Sequence, residues 1–400
     1  MRFCARATAL LVLLSASLAR SQQPVTRQQA VESAVARGAR SAVARADTLV
    51  GAAQLLTARS WENPSLAGTY SKSPPNYHAI VDLPLDITGA RGARIRAAQA
   101  SRLASQFRFD FERASAALDA DTSYTRALAA LERVRLSRRN ARDADSLRRM
   151  AIIRRDAGDA SELDVLLATV NAGQAANLAI ADSVTLISSI FDLQTVMGLD
   201  TTGISIVPSD SLTMPPLTAP TAVTASALPI AAARQALSAA DLSVKVQRRS
   251  LFTPFSILAG AEWGDPGGTP GLLPTFGLSL PLPLLNRNRG PIALAEAERE
   301  RARAELALAL FQTEATIGRA RRERAAALEK LQRDRVLVES ATRIVSMSLV
   351  AYREGAQALP AVLEAQRNAR DILSQYITDL ADAWIATATL RLYSLAAVTR

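Results

Sequence analysis

The sequence has almost none of the residues on which most enzymes and metalloproteins depend. It contains one cysteine, Cys4, and one histidine, His78, in 400 residues. A single histidine cannot build a typical zinc site, which needs three or four ligands, and we expect no serine–histidine relay. No GxxxxGK phosphate loop is present. We therefore expect no active site, metal site or cofactor, and we expect His78 to be a solvated or loop residue.

The N-terminus has the pattern of a secretory signal sequence. Arg2 and Arg6 precede an apolar stretch, residues 7–19, that is too short to span a membrane as a helix. A small-x-small cleavage pattern follows, so residues 1–21 are expected to be removed. Cys4 would leave with them, and the exported chain would then contain no disulfide and no thiol.

Positive charge is abundant but dispersed. The formal net charge is +10, or +7 without the three arginines of the predicted signal sequence. An excess of arginine can indicate nucleic-acid binding. Here the arginines lie among Asp and Glu along predicted helices, in a chain that is predicted to be exported. They indicate solvated helix faces, and no nucleic-acid partner is expected.

The sequence repeats itself at a fixed offset of 197 residues, and internal repetition of this kind predicts a duplicated fold. Three matched pairs carry the repeat: Leu83-Pro84-Leu85 with Leu280-Pro281-Leu282, Gly158 with Gly355, and Val165-Leu166 with Val362-Leu363. We predict a first repeat over residues 22–200 and a second over 226–400. A connector rich in proline and threonine, residues 201–225, joins them and is expected to pack along their outside.

Each half is predicted to contain a helix, a β-hairpin and a long helical hairpin, so the fold class is mainly α with a small β part. Alanine is abundant and aromatics are only 4% of the chain, which suits long, closely packed helices. The predicted elements of the first half are a helix at 24–57, two strands within 65–86, a helix at 90–155 and a helix from Ser161 to about Gly198. Those of the second half are a helix at 226–250, strands at Phe255–Trp263 and Leu273–Leu284, and helices at Pro291–Glu354 and from about Pro360 onward.

A single copy of such a chain is incomplete. The helix predicted at 90–155 would be on the order of 100 Å long, and its apolar stripe can be covered only by similar helices. Four strands cannot close a barrel, for which about eight is a practical minimum. An open sheet in lipid would leave unpaired backbone groups, at a cost of several kcal/mol each. Both considerations predict a symmetric oligomer.

Four segments, in this order and spacing, carry a resemblance to a known family. They are Asn63-Pro64-Ser65-Leu66, Leu83-Pro84-Leu85-Asp86 before Gly89-Ala90-Arg91, Leu280-Pro281-Leu282 before Asn286-Arg287-Asn288-Arg289-Gly290, and Tyr352-Arg353-Glu354-Gly355 followed by Val362-Leu363-Glu364-Ala365-Gln366. The chain resembles the TolC-type outer-membrane efflux family, also called outer-membrane factors, over essentially all of its exported length.

The resemblance implies a homotrimer with a 12-stranded transmembrane β-barrel in outer-membrane lipid, continuing into a periplasmic α-helical barrel. Substrate would pass passively through the lumen, supplied by an inner-membrane pump through a periplasmic adaptor (membrane fusion) protein. The two helix-to-helix turns would form the closed periplasmic entrance and the adaptor-docking surface. The cargo, the pump class and the nature of the gate cannot be derived from the sequence.

The site residues implied by the resemblance belong to these two turns. The periplasmic tip and docking residues would be Arg155, Asp156, Gly158, Ser161, Leu163, Val165, Tyr352, Arg353, Glu354, Gly355, Val362 and Leu363, with candidate gate charges at Asp159, Asp164 and Glu364. The plainer interpretation is that the glycines serve only the turns and that the charges are solvated. The second turn lacks the hydroxyl residue that Ser161 supplies to the first.

Two further hypotheses stay open, one about the aromatic residues and one about the class of protein. Trp61, Tyr70, Tyr77, Trp263 and Phe276 flank the predicted strands and could form an interfacial aromatic girdle or ordinary packing. The chain could also be a non-transporting periplasmic coiled-coil or adhesion protein, which sustained heptads without amphipathic hairpins would favour. An exported enzyme or binding protein would need a convergent polar site, and none is visible.

Overall fold

The computed structural model describes residues 23–200, 206–218, 220–221, 227–252, 255–268, 271–280, 282 and 285–395. The predicted signal sequence and parts of the predicted connector lie outside these residues. The described chain is mainly helical, as predicted. Its helices are α1 Arg27–Arg37, α2 Ala39–Arg59, α3 Ala90–Asp156, α4 Glu162–Met197, α5 Leu228–Arg249, α6 Arg289–Arg353 and α7 Leu359–Ser394. Its strands are β1 Gln23–Val25, β2 Ser65–Tyr70, β3 Tyr77–Leu85, β4 Ile206–Pro208, β5 Phe255–Trp263 and β6 Leu273–Ser279.

The chain divides into two compact units, and each unit draws on both predicted repeats. The helical unit consists of the described residues within 23–42, 112–221 and 315–395. The sheet unit consists of the described residues within 43–111 and 227–314. The repeat boundaries at 22–200 and 226–400 stay predictions.

Two element boundaries differ from the sequence-based expectation. The opening helix is interrupted at Gly38, which leaves the helical conformation with ψ 136° while its amide still donates to the carbonyl oxygen of Ala34. Glycine suits this position because a Cβ there would lie 2.4 Å from that oxygen. The returning strand expected over Leu273–Leu284 ends at Ser279. Of the residues that follow, 281, 283 and 284 lie outside those that the structure describes.

The sheet unit contains a four-stranded antiparallel sheet in the order β2-β3-β5-β6. The two hairpins, β2-β3 and β5-β6, are joined edge to edge through β3 and β5, with Leu85 opposite Phe255 and Tyr77 opposite Trp263. Because every neighbouring pair is antiparallel, the tight turns lie at one end of the sheet and the connections to the helices lie at the other. We call these the turn end and the helix end.

The helical unit has a core near the N-terminal strand, where β1 pairs in parallel with β4 of the predicted connector. Tyr124 is fully buried there, and its hydroxyl donates to the carbonyl oxygen of Val25 at 3.0 Å and accepts from the amide of Asp210 at 3.2 Å. Farther along the connector, the guanidinium of Arg324 donates to the carbonyl oxygens of Pro216 and Leu217 at 2.7 and 2.8 Å. This part of the connector is thus anchored by buried polar groups.

Candidate functional site

The two helix-to-helix turns of the helical unit have the same backbone geometry. In the first, Gly158 has φ +83° and its amide donates to the carbonyl oxygen of Arg155, while the amide of Asp159 donates to that of Arg154. In the second, Gly355 has φ +75°, and the two matching hydrogen bonds link residues 355 to 352 and 356 to 351. This is the Schellman arrangement, which needs a left-handed residue after the helix. The prediction that both glycines serve as left-handed turn residues is confirmed.

The turns differ in how the following helix begins. Ser161 caps α4 with a complete capping box, in which its hydroxyl accepts from the amide of Asp164 and the Asp164 carboxylate accepts from the amide of Ser161. The matching residue before α7 is Ala358, which makes no side-chain cap, and Pro360 supplies the first turn instead. The sequence difference between the turns is therefore a difference in helix capping.

A hydrophobic cluster joins the two helical hairpins next to these turns. Tyr352, Val165 and Val362 are buried in it, and Leu363 packs against it. The other buried members are Leu147, Ala151, Ala168 and Leu359. Three of the predicted docking residues are therefore interior residues that hold the hairpins together. Leu163, in contrast, is 63% exposed and is free to contact another molecule.

Arg154 connects the two turns, and sequence reasoning missed it. Its guanidinium donates to the carbonyl oxygen of Tyr352, lies 4.8 Å from the centre of the Tyr352 ring, and donates at 3.4 Å to the carbonyl oxygen of Asp159. Burial raises the pKa of Tyr352, against the smaller opposing effect of the Arg154 charge. The Tyr352 hydroxyl is buried and has no hydrogen-bond partner among the described residues. The Arg154 side chain, which belongs to the first turn, thus holds the second turn in place, and we call this set of contacts the clamp.

Two of the three predicted gate charges, Asp164 and Glu364, have local partners within the chain. Asp164 is engaged in the capping box, and Glu364 lies 3.5 Å from Arg367 one turn along α7. Arg155 pairs with Asp156 at 2.7 Å and with Glu162 at 3.1 Å, and the hydrogen bonds to these two carboxylates raise the pKa of Arg155. Asp159, Arg353 and Glu354 are exposed. A salt-bridge ring between copies stays a prediction.

The four-stranded sheet has two chemically different faces. Alternate residues in register place Leu66, Val81, Ala259 and Phe276 in one row across the four strands, with Leu83, Ile257 and Leu278 in a neighbouring row. This face carries no charged side chain, and most of its large residues are exposed, Phe276 to 80%. The opposite face carries Ile80, Leu258 and Leu273 and also the charged side chains of the strands and most of the polar ones: Ser65, Thr69, His78, Asp82, Ser256, Glu262, Thr275 and Ser279. An exposed apolar face backed by a polar face is typical of a transmembrane β-barrel.

Aromatic residues gather at the turn end of the apolar face. The Tyr77 ring lies 5.3 Å from that of Tyr70 and stacks at 5.7 Å on that of Trp263. Trp61 lies instead at the helix end, beneath the guanidinium of Arg91 at 4.3 Å. His78, expected to be a solvated or loop residue, keeps 23% of its side chain exposed. It lies within β3, and its Nδ1 is 3.3 Å from a carboxylate oxygen of Glu262 on the register partner position of β5.

Helix α4 presents a long apolar surface that the described chain leaves uncovered. It is long and apolar enough to cross a membrane by length and composition, and only 6% of its most apolar window is buried. The exposed residues recur at helical spacing: Leu163, Leu166, Val170, Ile180, Val184, Ile187 and Phe191. No group of three or more potential metal-ligating side chains occurs in the described part of the chain.

Comparisons with known proteins agree with this description. Residues 220–395 match the family model described as "Outer membrane efflux protein". No curated protein matches the sequence. Among solved structures, the Campylobacter jejuni CmeC outer membrane channel has a TM-score of 0.80 at 16% identity, covering 92% of this chain and 85% of CmeC.

Two further structures share the fold. The Vibrio cholerae outer membrane protein VceC has a TM-score of 0.75 at 15% identity, covering 92% of this chain and 96% of VceC. A membrane protein from Pseudomonas aeruginosa has a TM-score of 0.77 at 20% identity, covering 92% of this chain and 93% of that protein. The matched family consists of channel proteins and not of enzymes. By the family match over residues 220–395 and the shared fold, the chain is similar to the TolC-type outer-membrane efflux proteins, which lie in the outer membrane and extend into the periplasm.

Proposed function

We propose that three copies of this chain form an efflux channel across the outer membrane, which conducts substrate passively from a periplasmic adaptor and an inner-membrane pump to the exterior. The observation that carries the proposal is the four-stranded sheet with one wholly apolar, exposed face. Such a face suits contact with lipid hydrocarbon, and the polar face opposite it suits a water-filled lumen.

The two edge strands of the sheet, β2 and β6, can be paired by further copies of the chain. Within the described residues, β2 pairs only with β3 and β6 pairs only with β5. An open edge in lipid leaves backbone donors and acceptors without partners, so sheets in membranes close into barrels. Pairing β2 of one copy with β6 of the next would close the sheet. Three copies would supply twelve strands, which exceeds the practical minimum of about eight.

Helix α4 supports the same assembly. Its exposed stripe from Leu163 to Phe191 lies in the helical unit, and an apolar surface of this length is unusual on a monomeric soluble protein. We propose that this stripe packs against a neighbouring copy of the chain in the periplasmic helical barrel. A coiled-coil or adhesion protein would also bury such a stripe, but it would have no use for the apolar face of the sheet.

Cysteine cross-linking between sheet edges tests the assembly. In a Cys4→Ser background, Ala67→Cys on β2 would be combined in turn with Leu273→Cys, Thr275→Cys and Gly277→Cys on β6. At least one combination should give disulfide-linked dimers and trimers under mild oxidation. As a control, Val81→Cys with Ala259→Cys joins register partners of one chain and should give no ladder. Monomers from every combination, together with a monomeric purified protein, would overturn the proposal.

We propose that the adaptor docks on the exposed parts of the two turns. Leu163 and Ala356 are both exposed there, whereas Tyr352 and Val362 are buried and act as support. A photo-reactive amino acid at position 163 or 356, introduced in intact cells, should cross-link to a periplasmic protein. The same probe at Arg333, an exposed position on α6, should not. Identical products at all three positions would contradict docking at the turns.

A further inference from the structure

The helix end of the sheet is strongly and one-sidedly basic. Four chain segments leave the sheet there: the residues before Ser65 and Phe255 and those after Leu85 and Ser279. Within eleven residues of these strand ends the sequence has two acidic residues, Glu62 and Asp86. The basic residues in the same segments, which we call the cationic collar, are Arg59, Arg91, Arg94, Arg96, Lys245, Arg248, Arg249, Arg287 and Arg289.

The turn end of the same sheet has no such charge. Its two connections, residues 71–76 and 264–272, contain one basic residue, Lys72, and one acidic residue, Asp265. The basic charge is therefore a property of one end of the sheet and not of the sheet unit as a whole. Nine of the 44 helix-end positions are basic and two are acidic, whereas the whole chain has 47 basic and 37 acidic residues in 400.

Much of this charge is not neutralised within the chain. Arg94 lies 3.6 Å from Glu62, and Arg248 lies 2.6 Å from Glu296. Asp86 is occupied as a helix cap, since its carboxylate accepts the amides of Ala90 and Arg91. Among the described residues, the side chains of Arg59, Lys245, Arg287 and Arg289 have no acidic partner, and all four are exposed. These side chains can bind an external anion.

The neighbours of the collar indicate which kind of surface that anion belongs to. The Trp61 indole, 64% exposed, lies under the Arg91 guanidinium, and Leu285 is fully exposed between the collar and β6. Exposed tryptophan beside arginine, at the margin of an apolar face, is the arrangement found where membrane proteins cross the lipid headgroup zone. A soluble anionic partner would not explain the exposed leucine and indole.

We propose that the cationic collar binds the phosphate groups of anionic phospholipids in the periplasmic leaflet of the outer membrane. The inference rests on the proposed function, which places the helix end of the sheet at that leaflet. Arginine suits the role because its planar guanidinium forms paired hydrogen bonds to phosphate oxygens. Basic residues at an anionic membrane surface each strengthen binding by about five-fold. The collar would fix the depth of the barrel in the bilayer and select the lipids around it.

The native tryptophans provide a test at the two ends of the sheet. The purified full-length protein would be reconstituted in phosphatidylcholine vesicles containing brominated phosphatidylglycerol or brominated phosphatidylcholine. Trp263→Phe leaves Trp61 as the sheet's reporter at the helix end, and Trp61→Phe leaves Trp263 at the turn end. Trp384, in the helical unit, contributes a background common to both variants. Quenching of Trp61 should show at least about a five-fold preference for phosphatidylglycerol, whereas Trp263 should show no such preference.

A charge-matched pair of variants isolates the collar. Lys245→Gln, Arg287→Gln and Arg289→Gln together should abolish the preference at Trp61. Arg319→Gln, Arg335→Gln and Arg343→Gln, exposed positions along α6, remove the same charge and should leave the preference unchanged. The preference should also weaken in high salt, because exposed charges are screened.

The outcomes separate the two proposals. If neither Trp61 nor Trp263 is quenched by any brominated lipid, the sheet does not enter the bilayer and the proposed function fails. If Trp263 is quenched but Trp61 shows no preference for phosphatidylglycerol, the sheet is in the membrane and only the collar is refuted. The collar is also refuted if the two triple variants lose the preference equally.

Discussion

Removing the Arg154 side chain should loosen the second helix-to-helix turn from the first. In the native chain this guanidinium donates to the Tyr352 carbonyl oxygen, lies over the Tyr352 ring at 4.8 Å, and donates to the carbonyl oxygen of Asp159. Arg154→Ala deletes all three contacts at once. The buried cluster that contains Val165, Tyr352 and Val362 keeps its apolar members, so the helices should remain folded.

The loss of local stability in Arg154→Ala can be estimated from the individual contacts. A hydrogen bond from a charged donor contributes about 1.5–3 kcal/mol, and a cation–π contact at a partly exposed site about 0.5–1 kcal/mol. Arg154 is half-buried, and the contacts share one side chain, so their contributions do not simply add. We expect a loss of about 2–3 kcal/mol in local stability, which corresponds to roughly 30- to 150-fold more frequent opening of the turn.

Amide hydrogen exchange measures this opening directly. Peptides that cover residues 352–362 should exchange faster in Arg154→Ala by that factor, with little change in the middle of α6. Arg155→Ala is the matched control, because Arg155 pairs with Asp156 and Glu162 of its own turn and does not contact the second turn. It should change exchange in residues 155–162 alone. Equal effects of the two variants on residues 352–362 would refute the clamp.

Three further predictions concern the helical unit. Gly158→Ala and Gly355→Ala, at φ +83° and +75°, should each lower the local stability of their turn by about 1–2 kcal/mol, as measured by amide hydrogen exchange. The control Gly173→Ala, in α4 with open space around it, should be neutral or stabilising. Tyr124→Phe should leave the amide of Asp210 without its partner and remove one of the two hydrogen bonds that the Val25 carbonyl oxygen accepts, the other coming from the amide of Ser209. Exchange of β1 and β4 should therefore accelerate by the equivalent of about 1–2 kcal/mol; unchanged protection would contradict that role. Burial, and then a hydrogen bond with Asp379, raise the pKa of Asp334. The stabilising contribution of Asp334 is therefore complete at acidic pH and is lost as the pH rises through its raised pKa. The melting temperature of Asp334→Asn should then exceed that of the native protein by a margin that grows from acidic to neutral pH. A margin that stays constant across pH would contradict this assignment.

Much of the fold follows from local sequence signals. The helix predicted at 90–155 is observed as Ala90–Asp156, and the capping box at Ser161 and the breaks at Gly158 and Gly355 are where the sequence places them. These features depend on interactions within a few residues, such as capping and left-handed glycine. The 197-residue offset between the turns also recurs in their backbone hydrogen bonds.

The features that sequence reasoning missed depend on residues far apart in the chain. Arg154 reaches Tyr352 across two helices, and its counterpart at the repeat offset is Ala351, so the duplication gives no sign of the clamp. The pairing of His78 with Glu262 needs the register of β3 against β5, which no local pattern specifies. The strand β4 forms within a proline-rich connector because β1 offers it a parallel edge and Tyr124 anchors it. Each of these contacts joins positions whose proximity only the tertiary fold determines.

We propose that one copy of the chain is incomplete and that further copies of it complete it within a membrane. Native mass spectrometry of the full-length protein, extracted from outer membranes and released from detergent, counts those copies directly. We expect a particle of three chains that is recovered only with detergent or lipid. A stable, folded single chain in detergent-free buffer would contradict it.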